Sequence, residues 1–454
     1  MSLPTAPQVI VGNVITMDPA RPRAEAIGVE DGAIVAVGGR EEVAAALPGA
    51  PVRTPDAAAI VPGLIDSHLH MQWAGLKLLE SFGEAGPPSL AAAMEVLDGP
   101  GLHWNGEAEP TLPERLAALR LIQPVLHGLG LVGVVDPAVV PAEMSAYVHS
   151  HNRGELTMRI VPMPHPDITG GADAAIAQLD GIGARTGLGD ERLRLGGVKV
   201  YFDGEGKNSN ALRREPWPER ADEPDARGWQ RLPTEEFLKV ATWCAREGWS
   251  MGVHVVGGAG IDAVLDAWLK VDKETPIAGL GFTLIHAYLE PSPANMELAA
   301  KLGVLVAAQP AIHWNNGAGL EAKLGPAARA ANPIGAWLDA GVAVGGGSDG
   351  PYFSMDPRLG MWQSMTREVS GGDGPHAPEL ALGAEQALAM YTTGAAAVSL
   401  AGGRRGALVP GQAADWVALS VDPLAADPAA VREMTAIETA VGGVTVHPAP
   451  SASA

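Results

Sequence analysis

Through most of the chain, short apolar runs ending in glycine or a polar residue alternate with stretches rich in Ala, Leu and Glu. Eight runs read as strands: "AIVPGLIDSHLH", "LGLVGVVDP", "LTMRIVPMP", "LRLGGVKVYFDG", "GWSMGVHVV", "GFTLIHAYL", "GVLVAAQP" and "GVAVGGGSDG". Their near-continuous hydrophobicity is that of parallel strands covered on both faces, and segments such as "EEFLKVATWCAREG" and "ANMELAAKLG" read as the helices between them. Strands and helices in alternation predict an α/β fold, the (β/α)8 TIM barrel. The two ends differ. Residues 8 to about 58, and "GALVPGQAADWVALSVDPL" with "AIETAVGGVTVHPA", are strand-like with Gly, Asp and Pro breaks and few helical runs. The expected organisation is a small β-sandwich domain built from both ends, 1–58 and 401–454, around a barrel at 59–400.

Three connections exceed what a barrel needs: about 74–118, 204–232 and 310–335. All follow strands, on the side where barrels build their sites, so they are candidate substrate walls or lids. They hold Trp104, Trp217, Trp229 and Trp314, each either a loop anchor or a wall residue. The tail "HPAPSASA" is expected to be a frayed end.

Composition narrows the partners. Lys and Arg number 31 against 52 Asp and Glu, a net charge of −21, and that field repels nucleic acid and anionic lipid. A small-molecule substrate is the expected partner. Cys244 is the only cysteine; it forms no internal disulfide and reads as packing. The first residues lack the basic and apolar pattern of a signal peptide, and no apolar run is long enough to span a bilayer. The expectation is a cytoplasmic protein without a membrane segment.

The sharpest chemical signal is "GLIDSHLH", because on a strand Asp66, His68 and His70 point to one face. Two imidazoles one residue apart at a strand end can clamp a metal ion. Lys199 in "GVKVYFDG", His254 in "GVHVV", His286 in "LIHAYL" and Asp349 in "GGGSDGP" occupy comparable strand ends. In a barrel such positions meet at the mouth, and imidazole with carboxylate is a ligand set that Zn²⁺ accepts. Each residue taken singly also fits a hydrogen-bonded interior group. For Asp203, two readings stand: orienting a ligand from behind, or forming an Asp-Gly turn.

The pattern resembles the amidohydrolase superfamily: HxH on strand 1, Lys on strand 4, His on strands 5 and 6, Asp on strand 8. The amino-terminal strands, "VPGLIDSHLH", "LGVLVAAQP", "GSDGPYFSMDPRLGMW" and "GALVPGQAADWVALSVDPL" look like the branch that includes N-substituted formamide deformylase. The resemblance implies that His68 and His70 bind one metal with Asp349, that His254 and His286 bind a second, and that Lys199 bridges them as a CO₂-derived carbamate. An unmodified Lys199 beside a single metal is the alternative. The cofactor implied is Zn²⁺, one or two per chain, with Mn²⁺ or Fe²⁺ as substitutes; a homodimer is a family-level expectation.

The reaction implied is hydrolysis of a C–N bond in an amide, an N-substituted formamide or a cyclic amide. Metal-activated hydroxide would attack the carbonyl, with Asp349 as general acid and base. The alternatives are an ester or other carbonyl hydrolase on the same dinuclear site, or a non-catalytic amidohydrolase-like binding protein. Two departures limit the substrate. "HVVGGAG" lacks the glutamate that ring deaminases carry there, and has Gly257 and Gly258 where formamide deformylase-like relatives often have an aspartate. Trp73, Gln309, His313, Trp314 and Tyr352 are the substrate-binding candidates, with His313 either holding an oxyanion or carboxylate or simply packing.

Overall fold

The computed structural model describes residues 6–100 and 109–447. The chain begins with β1 (Gln8–Ile15), β2 (Arg23–Glu30), β3 (Ala33–Gly38), β4 (Val52–Arg53) and β5 (Ala59–Pro62). Then come eight strands separated by helices: β6 (Leu64–Asp66), β7 (Leu131–Val139), β8 (Arg159–Pro164), β9 (Val198–Tyr201), β10 (Met251–Val255), β11 (Thr283–His286), β12 (Leu305–Ala308) and β13 (Val344–Gly346). β14 (Trp416–Leu419), β15 (Ala436–Val441) and β16 (Val444–His447) close the chain.

All pairings among β6 to β13 are parallel, in sheets ordered β6-β7-β8 and β13-β12-β11-β10-β9. The sheets are linked at both edges. At one, Ser67 N–H donates to Gly346 O at 2.9 Å; at the other, Gly196 N–H donates to Pro162 O at 2.9 Å and Arg194 N–H to Ile160 O at 3.0 Å. β8, β10 and β11 are buried at every position, which explains why their sequences lack a polar alternation. Val135, Val161, Met163, Ile285 and Ala307 form one apolar cluster, while Ile160, Val200, Val253 and Leu284 join the main core with the helices. Cys244 is buried on its helix, as packing requires.

The ends meet in one sheet ordered β16-β15-β14-β5-β1-β2-β3, with β4 beside β1. Here the structure corrects a detail: "AIVPGLIDSHLH" is two strands broken at Gly63, and β5 pairs antiparallel with β14 in the terminal sheet. A buried ion pair ties that sheet to β8, Arg159 Nε lying 2.5 Å from Asp415 Oδ2. Removing one partner of such a pair costs roughly 3–5 kcal/mol.

Two of the three long connections are mostly helical. Between residues 74 and 118 lie parts of the helices Met71–Phe82, Leu90–Asp98 and Leu112–Gly128, and Pro310–Leu324 is helical too. The segment 202–233 is irregular apart from the turn Pro218–Arg220. It is pinned by Trp217, fully buried, whose Nε1 donates to Ala211 O at 2.9 Å, whereas Trp229 is 47% exposed. Trp104 and the tail from Pro448 lie outside the described residues. Among those described, no helix is long and apolar enough to cross a membrane.

Candidate metal centre

Two strand ends build the first half of the site. β6 runs into His68 and into His70, which sits at the N-cap of the helix Met71–Phe82; β13 runs through "GGGSD" to Asp349. The two segments approach closely because of glycine: a Cβ on Gly347 would lie 2.7 Å from His68 N. Asp66, on the expected face, clamps them, its Oδ1 accepting from His68 N–H at 2.9 Å and Ser348 N–H at 3.1 Å. The result is a tight donor set. Nε2 of His68 and Nε2 of His70 stand 3.3 and 3.4 Å from the same oxygen, Asp349 Oδ1, and the donor atoms of all three lie within 4.8 Å of one another. Ligands at about 2.1 Å around a tetrahedral Zn²⁺ are spaced about 3.4 Å apart, so these residues fit a metal.

β9, β10 and β11 bring the second half. The ring of His68 lies 5.1 Å from that of His286, which lies 4.6 Å from that of His254. His286 Nδ1 is held by Gln309 Oε1 at 2.7 Å and His254 Nε2 by Gly204 O at 3.1 Å. With those nitrogens protonated, each ring keeps its other nitrogen as a free donor, an arrangement common behind metal ligands. Lys199 Nζ is fully buried without a hydrogen-bond partner and lies 4.9 Å from the centre of the Tyr201 ring. A buried polar atom left unpaired costs free energy, and a further bound group would relieve it.

Charge follows burial. Desolvation, with Lys199 nearby, brings His68 down to about 4 and His254 to about 3; burial and the neighbouring His254 hold His286 well below the usual range. Burial brings Lys199 down to about 7, opposed by Asp349. Burial also pushes against ionisation of Asp349, but its contacts with His68 and His70 win and hold it well below the carboxylate range. Neutral imidazoles thus face an ionised carboxylate, the protonation a metal needs. His286 (φ 77°) and Asp349 (φ 59°) have left-handed backbones, strain of a kind that collects at functional sites.

The other nominated residues separate. Trp73 stacks on His70 with centroids 5.3 Å apart, and Tyr352 stands 5.7 Å from His70 and 6.0 Å from Trp73; both flank the first half. Gln309, expected to contact substrate, is buried and holds His286. His313 is buried against His376, ring centres 5.5 Å apart, and Trp314 packs on Trp362 at 5.2 Å; these contacts hold both in the packing around their helix and away from the histidine cluster. Asp203 binds backbone groups on two segments. It accepts N–H groups of Leu212, Val256 and Gly257, each at 2.9 Å, and so ties the 202–233 segment to the end of β10. Sequence reasoning missed Tyr201, whose ring lies 5.2 Å from His254 and 5.3 Å from His165. Its signal was available, two residues beyond Lys199 on a strand of period two.

The model of the amidohydrolase family matches residues 105–447. The chain belongs to the amidohydrolase family. His68 and His70 precede the matched segment, so their assignment rests on geometry. The N-substituted formamide deformylase of Arthrobacter pascens is 25% identical over 390 residues, 84% of this chain and 68% of that protein. The chain spans about half the length of two other curated relatives, 47% and 44%. Among solved structures, an uncharacterized metal-dependent hydrolase from Pyrococcus horikoshii OT3 superposes with a TM-score of 0.75 at 19% identity, over 93% of this chain and 99% of that one. The atrazine chlorohydrolase TrzN from Arthrobacter aurescens TC1, complexed with zinc, gives 0.64 at 19% identity, over 98% and 97%. At 19% identity these two structures show that the fold is shared.

Proposed function

We propose that this amidohydrolase hydrolyses a C–N bond in an amide or N-substituted formamide, with Zn²⁺ held by His68, His70 and Asp349 and a second ion by His254 and His286. The observation that carries the reading is the convergence of three donor atoms within 4.8 Å at the ends of β6 and β13. The deformylase relative and the zinc in the chlorohydrolase structure support the bond class and the metal. The metal, when bound, supplies Lewis acidity that acidifies water and polarises a carbonyl.

The chain's own residues do the rest. Asp349 is the only carboxylate within contact distance of both His68 and His70 among the described residues; ionised, its carboxylate takes a proton from water and returns it to the leaving nitrogen. Lys199, its amine freed of charge near neutral pH by burial, is the residue that would take up CO₂ as a carbamate, with release of one proton, and would then offer anionic oxygens to metal. Gln309 and Gly204 O fix the tautomers of His286 and His254. Trp73 and Tyr352 wall the substrate. The links between the two parallel sheets support a closed barrel, and the core of Ile10, Ile27, Ile60 and Trp416 supports a terminal sandwich with its first boundary at Gly63.

The test is amine release from N-phenylformamide and acetanilide by protein stripped with chelator and reloaded with Zn²⁺. Release that needs the metal supports the reading. Ester cleavage without any amide or formamide cleavage would replace it with the esterase alternative.

A further inference from the structure

We propose that Arg231 receives a carboxylate on the substrate, so that the site takes monoanionic amides carrying an apolar group at the opposite end. The inference rests on the C–N hydrolase reading for where the scissile bond lies. Its geometry starts in the irregular connection after β9. That segment doubles back: Arg231 N–H donates to Phe202 O at 2.8 Å, and Gln230 bridges Asp203 in antiparallel fashion. The pairing pins residue 231 beside the strand end that carries Lys199 and Tyr201.

From there the guanidinium carbon of Arg231 reaches 5.7 Å from the centre of the Tyr201 ring, the ring that also meets His254 at 5.2 Å. Its charge acts on the buried His254 imidazole. The side chain is exposed and, among the described residues, has neither a hydrogen bond nor an ion pair. Three other arginines of the same connection differ. Arg213 is tied to Glu290 at 2.6 Å, Arg214 to Asp262 at 2.7 Å and Arg220 to Glu223 at 2.8 Å. Among the described residues Arg231 and Arg227 keep their forks of donors open; of the two, Arg231 lies over the Tyr201 ring, and its planar fork matches a carboxylate in bidentate fashion.

Ring contacts then order the whole mouth. They run from Trp73 and Tyr352 through His70, His68, His286 and His254 to Tyr201, where Arg231 stands. The histidines lie between an aromatic shelf, with Tyr352 48% exposed, and the open guanidinium of Arg231. A substrate whose scissile bond sits over the histidines therefore meets apolar surface at one end and Arg231 at the other. Glu205 also stands near Arg231, and its carboxylate disfavours a doubly charged ligand there.

The experiment measures binding of two uncleavable probes, 4-phenylbutanoate and the neutral ketone 5-phenylpentan-2-one, to the Zn²⁺-loaded full chain by calorimetry. We expect the carboxylate to bind roughly 10- to 100-fold tighter, the range for a charge-assisted pair. R231Q, checked for unchanged melting temperature and metal content, should bring the ratio near one, with R231K keeping part of it. No preference in the parent protein, or a preference that survives R231Q because the metal holds the carboxylate, overturns the proposal. Because neither probe is cleaved, failure to find C–N hydrolysis would leave this result standing, and the reverse.

Discussion

The two halves of the candidate site are prepared differently. At β6 and β13 the donors already touch, with two imidazoles on one carboxylate oxygen. At β9, β10 and β11 the imidazoles are held from behind by Gln309 and Gly204, and Lys199 Nζ has no hydrogen-bond partner among the described residues. The difference teaches that the first half is a preformed chelate whose polar groups satisfy one another. The second is complete only when a bound group pairs the buried amine.

That contrast can be broken most severely at Asp349. D349N should keep metal on the histidines yet lower kcat by roughly 10²- to 10⁴-fold, the span of a lost acid-base group; near-normal turnover would remove the proton-carrying role. K199M should cost roughly 100-fold or more in activity while halving the metal content and leaving His68 and His70 loaded. If metal content stays whole, the two halves are not separate sites.

Acid should distinguish the halves in metal-free protein. The folded-state pKa values of His68 and His254 are about 4 and 3, below the unfolded 6.5, so the unfolded chain takes up protons first. Stability contributed by the neutral rings is therefore present above pH 6.5. It is lost as pH falls, down to about 4 for His68 and about 3 for His254. Each pKa unit is worth about 1.4 kcal/mol, so urea unfolding between pH 7 and 4 should show a loss of a few kcal/mol. H254N and H68N should each flatten that loss. The smallest effect belongs to Q309L, which frees His286 and should weaken metal binding by roughly tenfold, read by competition with a chelator.

How much was legible in advance depended on distance along the chain. His68, His70, Lys199, His254, His286 and Asp349 could be named because each ends an apolar run, and a strand end in a barrel has a defined place. The pairing of Gln309 with His286 spans 23 residues and two strands, and no local pattern encodes it. The break at Gly63 was hidden because β5 and β6 are both fully buried, for different reasons, one against β14 and the other against β7. The helix Leu112–Gly128 was within reach: Thr111 and Glu114 form a capping box just before its apolar stretch. Arg231 carried no signal, since only the doubling back of its segment brings it to the mouth.

The most direct measurement is metal content per chain by elemental mass spectrometry, on protein purified without chelator and on the H68A/H70A double variant. The account predicts two equivalents in the parent protein and loss of metal from the first half in the variant. No bound metal in the parent, even after Zn²⁺ or Mn²⁺ is added, would contradict it.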